Sequence, residues 1–139
     1  MKSLTIVILA LSCVVLFAVS DARIQKYKVK GKVTCPKNPK DAAATKFKLA
    51  DEDDGPDPDD TLATGQADRN GMFSLEGQTD ELTDIDPKLK IYTDCNDGKP
   101  CQRKIKIKLP DQFINKGVFD IGELNLEAKY GDEDRDCFN

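Results

Sequence analysis

Apolar and charged positions alternate with a period of two through much of this chain. Between residues 24 and 35, Tyr27, Val29, Gly31 and Val33 fall on one face and Lys26, Lys28, Lys30 and Lys32 on the other. Successive side chains of a strand point to opposite sides, so this segment reads as a half-buried β-strand. The same spacing returns at Phe47 and Leu49 against Lys46 and Lys48, at Phe73 and Leu75, and at Leu89 and Ile91 against Lys90 and Tyr92. It is clearest where Arg103, Ile105, Ile107 and Leu109 alternate with Gln102, Lys104, Lys106 and Lys108. Further strands are predicted over 62–67 and over 118–130, the second bent at Gly122 with Leu124, Leu126 and Ala128 facing inward. Asn70-Gly71 predicts a hairpin between the third and fourth strands. Residues 78–87 read as a loop with at most one helical turn and 111–117 as a crossover. The polar tail from Gly131 is expected to fray unless Cys137 pins it. The pattern predicts an all-β sandwich of about seven antiparallel strands, and unequal strand lengths speak against a closed barrel.

Between the second and third strands the chain reads DEDDGPDPDD, with seven carboxylates (Asp51, Glu52, Asp53, Asp54, Asp57, Asp59 and Asp60) around Gly55, Pro56 and Pro58. Crowded anions and proline exclude a strand or helix interior and predict a solvated loop. Hard cations take oxygen ligands, so calcium binding is conceivable, but the spacing is not that of an EF-hand: Gly55 falls at the fifth position and Leu62 at the twelfth. No metal and no cofactor is assigned. A stiffened solvated connection is the first reading of this loop, recognition the second and calcium the third. The lysine rows add outward cationic stripes suited to anionic headgroups or an acidic receptor face, although outward lysines also suppress edge pairing. The candidate binding residues are Asp51, Asp53, Asp54, Asp57, Asp59 and Asp60 of the loop and Lys104, Lys106 and Lys108 of the sixth strand.

Lys2 precedes an apolar run from Leu4 to Val19, and Ser20 and Ala22 fit a small-x-small cleavage site. Residues 1–22 therefore read as a secretory signal, with cleavage after Ser20 as the alternative, and 23–139 as one domain. The run is short for a bilayer crossing and no second one follows, so no transmembrane segment is expected. In an oxidising compartment Cys35, Cys95, Cys101 and Cys137 are expected to form two disulfides. Four cysteines allow three pairings; the short Cys95 to Cys101 interval favours that pair, leaving Cys35 with Cys137. Histidine is absent. No Ser-His-Asp or Cys-His arrangement can be built, and no nucleophile and base can be paired, so an enzyme is not expected. A formal net charge of −4 and lysine stripes without interleaved aromatics give no reason to expect a nucleic-acid partner. The oligomeric state is left open.

The segments KGKVTC, KLADEDDGPDPDD, ADRNGMFSLEGQTDELTDIDPKLKIY, DCNDGKPCQRKIKIKLPD and FDIGELNLE, with the closing RDC, resemble those of nematode transthyretin-like proteins across nearly all of residues 23–139. The resemblance implies a secreted immunoglobulin-like, transthyretin-like (prealbumin-like) sandwich stapled by disulfides. One member of that family is understood as an extracellular adaptor linking phosphatidylserine on dying cells to a phagocyte receptor. The expected function is accordingly a secreted, non-enzymatic binding module for a protein receptor or an anionic membrane surface. A carrier of a small apolar ligand in an oligomer channel is the alternative. The related hydroxyisourate hydrolases depend on histidines and a C-terminal Tyr-Arg-Gly-Ser. This chain lacks both and ends in Asp136, Cys137, Phe138 and Asn139, so hydrolase activity does not carry over.

Overall fold

The alternating segments fold as strands in a computed structural model that describes residues 23–52 and 59–138. In chain order these are β1 (Arg23–Thr34), a short helix α1 (Pro39–Ala43), β2 (Lys46–Asp51), β3 (Asp60–Gln66), β4 (Met72–Glu81), β5 (Pro87–Thr93) and β6 (Gln102–Lys108). A 3₁₀ turn (Asp111–Phe113), β7 (Phe119–Asn125) and β8 (Glu133–Asp136) follow. They form a three-stranded sheet, β4-β1-β7, and a five-stranded sheet, β3-β2-β5-β6-β8. The inward residues of both make one core. Tyr27, Val29 and Val33 meet Leu49, Leu89, Ile91 and Ile105, and Phe47 stacks on Phe73 across the sheets with ring centroids 4.1 Å apart. This is the β-sandwich the alternation predicts.

Several particulars differ from the sequence reading. The strands described number eight rather than seven, and β7 runs parallel to β1 while every other pair is antiparallel. Asn70-Gly71 does make a turn, with Asp68 Oδ1 accepting from the N–H groups of Asn70 and Met72. That turn closes no hairpin, because β3 and β4 belong to different sheets and the chain crosses between layers there. β4 continues through 78–81, where a loop was expected: the long β1 offers partners as far as Arg23↔Glu81, and polar side chains face outward at little cost. The last predicted strand stops at Asn125, and Ala128 is exposed rather than inward. α1 carries no amphipathic period and was not foreseen. The tail is ordered, since β8 pairs with β6 from Gln102↔Asp136 to Ile105↔Glu133.

The disulfide pairing expected from spacing is also corrected. The bridges are Cys35–Cys95 and Cys101–Cys137. Cys95 ends the inward face of β5 and Cys35 follows the inward face of β1, so the two buried residues face each other between sheets, Cα atoms 6.0 Å apart. Cys101 and Cys137 flank the Gln102↔Asp136 pair, which brings their Cα atoms to 4.5 Å. The segment between Cys95 and Cys101 is a hairpin connection, as expected, but its two cysteines each serve a different partner.

Candidate binding face

Lysines gather on the outer side of the five-stranded sheet because three neighbouring strands carry them at outward positions. β2 supplies Lys46 and Lys48, β5 supplies Lys88 and Lys90, and β6 supplies Lys104, Lys106 and Lys108. Register sets Lys48 opposite Lys90 and Lys90 opposite Lys106, so three ammonium groups share one cross-strand row. Lys88 stands opposite Lys108. Like charges directly opposite one another cost stability unless anions intervene.

Anions intervene at the rim. Lys90 Nζ donates to Asp59 Oδ2 at 2.8 Å, and Lys88 pairs with Glu52. Burial pulls the Lys88 ammonium down, but the hydrogen bond and charge of Glu52, with Asp132 and Asp86, leave it above the usual lysine value. Asp136 lies 3.8 Å from Lys104 at the β8 edge, and Asp86 lies 3.9 Å from Lys108. No carboxylate among the described residues pairs with Lys46, Lys48 or Lys106. Lys104 is held below the usual lysine value by burial and by the charges of Lys90 and Lys106, against which Asp136 and Asp134 act. Tyr92 floors this face. Tyr92 is only 2% exposed although it points outward, and the Lys48 and Lys104 ammonium groups lie 5.2 and 5.9 Å from its ring centroid. Burial, then Asp136 and Asp59, pushes its phenol up.

The sequence candidates divide accordingly. Lys104, Lys106 and Lys108 stand together on this face, and Asp59 joins them through Lys90. Asp53, Asp54 and Asp57 lie outside the described residues, as does the apolar N-terminal run. Asp51 is not a solvated loop anion: it ends β2, is 3% exposed, and its Oδ1 accepts from the Asp86 N–H at 2.8 Å. Asp60 opens β3 opposite it. Carboxylate oxygens of Asp51, Asp60 and Glu81 lie within 4.8 Å of one another, with Asp51 already engaged in holding the Asp86 N–H just before β5. The Lys26 to Lys32 stripe lies on the other sheet, where Lys28 meets Glu76 at 3.5 Å. Lys46, Lys48, Lys88, Lys90 and Tyr92 were not singled out as site residues. Their outward positions were readable, but joining them to Lys104 needed the strand order. No helix among the described residues is long and apolar enough to cross a membrane.

The fold and face define a disulfide-stapled two-sheet sandwich that presents a charged surface. A family model described as "TTR-52: Transthyretin-like family" matches residues 30–110. Transthyretin-like protein 5 of Caenorhabditis elegans is 49% identical over 117 residues, covering 80% of this chain and 83% of that protein. Transthyretin-like protein 33 of the same organism is 46% identical over 117 residues, 80% of each chain. The chain belongs to the nematode transthyretin-like family. Among solved structures, a 9R-lipoxygenase from Cyanothece aligns at 21% identity with a TM-score of 0.49, over 78% of this chain and 17% of that one. Nothing of the lipoxygenase's activity is carried to this chain.

Proposed function

We propose that this protein is secreted after removal of residues 1–22 and acts as a non-enzymatic extracellular binding module that docks its lysine face on an anionic surface. A membrane exposing phosphatidylserine is the surface suggested by the family resemblance, and the partner protein of such an adaptor would be an extracellular receptor. The observation that carries the reading is the Lys48–Lys90–Lys106 row, in which only the central lysine has an ion-pair partner among the described residues. Anionic headgroups would relieve repulsion that the fold itself leaves standing at both ends of the row, and each lysine near an anionic surface is worth about 1 kcal/mol. Absence of histidine, which leaves no imidazole to act as base near neutral pH, supports a binding role. Flotation of residues 23–139 with vesicles tests it. Recovery should require phosphatidylserine and fall as salt is raised; equal recovery with and without the anionic lipid would sink it.

A further inference from the structure

Three of the four sheet edges are defended among the described residues. β8 is four residues long and every one is charged. β7 carries Asp120 and Glu123, has Gly122 at φ 83, and shifts register opposite Lys30 and Lys32. β4 is covered where it passes β3, since a Cβ on Gly77 would lie 2.6 Å from the Leu62 carbonyl oxygen. Short strands, charges, bulges and covering segments are the usual devices against unwanted pairing.

The β3 edge carries them only at its start, where Asp60 is charged, Leu62 bulges and β4 passes close by. Register places Leu62 as an extra residue between Thr61 and Ala63, and beyond it Ala63, Thr64, Gly65 and Gln66 carry neither charge nor proline. Their far side has no strand partner among the described residues. Beside this edge, on the outer face, is a hollow of about 380 Å³, floored by Tyr92 and walled by Lys46, Lys48, Thr64 and Gln66. Unpaired main-chain groups thus lie next to two lysines that have no carboxylate partner among the described residues.

We propose that the Ala63–Gln66 edge takes up an extended segment of a partner protein as a sixth strand of the sheet, with glutamates on its outward face meeting Lys46 and Lys48. Strand addition draws affinity from main-chain hydrogen bonds and selectivity from alternate side chains. At about 4.8 Å per strand the added chain lies about 10 Å from β2, a gap that facing Glu and Lys side chains span together. Charge complementarity selects the acidic peptide over a basic one. The site is lateral to the sheet and does not depend on the membrane reading.

The test uses residues 23–139 and a capped decapeptide of alternating Glu and Val. Controls are the same peptide with alternate amides N-methylated and a Lys-Val counterpart. The Glu-Val peptide should bind and slow amide exchange within Ala63–Gln66, and the N-methylated form should not. Lys46→Glu with Lys48→Glu should weaken Glu-Val binding at least about tenfold and turn the preference to Lys-Val. Equal binding of the N-methylated peptide would overturn strand addition in favour of charge alone. Protection of this edge in the unliganded protein, with dimers in light scattering, would overturn it in favour of a second copy. Loss of vesicle flotation in a Lys104, Lys106 and Lys108 variant that still binds the peptide would separate this site from the membrane face, and failure of flotation alone leaves the edge site standing.

Discussion

Arg103 sits on the inward face of β6, where its neighbours two and four residues on are isoleucines. Its guanidinium donates to the carbonyls of Cys95, Leu126 and Ala128 and pairs with Glu133, so one buried cation replaces the ladder bonds missing after β7 and ties β8 to the core. A buried ion whose partner is removed costs about 3 to 5 kcal/mol. Arg103→Met should therefore lower stability by about 3 kcal/mol or more, read as a fall in the urea midpoint. The alternation placed this side chain correctly; its partners were illegible because the alternation reads Leu126 and Ala128 as strand, whereas β7 stops at Asn125 and leaves their carbonyls to the guanidinium. Asp97 holds the same corner. The hydrogen bond from Arg135 lowers its carboxyl below the ordinary 3.8, burial opposes this, and the Lys99 N–H and the charges of Arg135 and Arg103 add to the lowering. Because the folded value is depressed, its contribution is present above pH 3.8 and is lost as pH falls through the folded value. Exchange of the β8 amides should accelerate in that acid range in the native protein, and Asp97→Asn should remove the pH dependence. Gly71 is a third such point: at φ 78, a Cβ there would lie 2.1 Å from the Val33 carbonyl oxygen, to which only glycine can pack.

The two disulfides show what an element's position adds to its spacing. Sequence separations of 60 and 36 give similar loop-closure stabilisation, about 4 kcal/mol each in the chain-entropy model. Their surroundings differ more. Cys35 and Cys95 are buried between the sheets, whereas Cys137 is exposed beside the four-residue β8. Replacing Cys101 and Cys137 by serine should release β8 and its exchange protection while the core amides of β1 and β5 stay slow. Replacing Cys35 and Cys95 should destabilise both sheets together; uniform loss in both variants would contradict this division. Spacing alone favoured the wrong pairs because a hairpin of that length can close on itself. Which cysteine faces inward at a strand end decided the matter. Strand identity and facing, by contrast, were legible from period two in most elements, and the exceptions, α1, the extension of β4 and the all-charged β8, lack an apolar period.

At the level of the whole molecule, the two sheets present unlike outer faces. The three-stranded sheet sets its β1 lysines against Glu76, Asp120 and Glu123 on neighbouring strands, while the five-stranded sheet concentrates seven lysines around Tyr92 and keeps its acids at two rims. Composition could not distinguish them, since sheet membership depends on the crossing at Gly71 and on the parallel β1–β7 pair. The acidic stretch also changes character at this scale. Glu52 and Asp59, at its two described ends, neutralise Lys88 and Lys90, so those ends border the lysine face. The direct measurement is a vesicle titration, with phosphatidylserine at low salt, of residues 23–139 beside two triple variants. Neutralising Lys104, Lys106 and Lys108 to glutamine should remove about 3 kcal/mol, or roughly a hundredfold in affinity. Neutralising Lys26, Lys28 and Lys30 should change it by less than about threefold, because that stripe faces away. Equal losses in the two variants, or no loss in the first, would contradict docking through the five-stranded sheet.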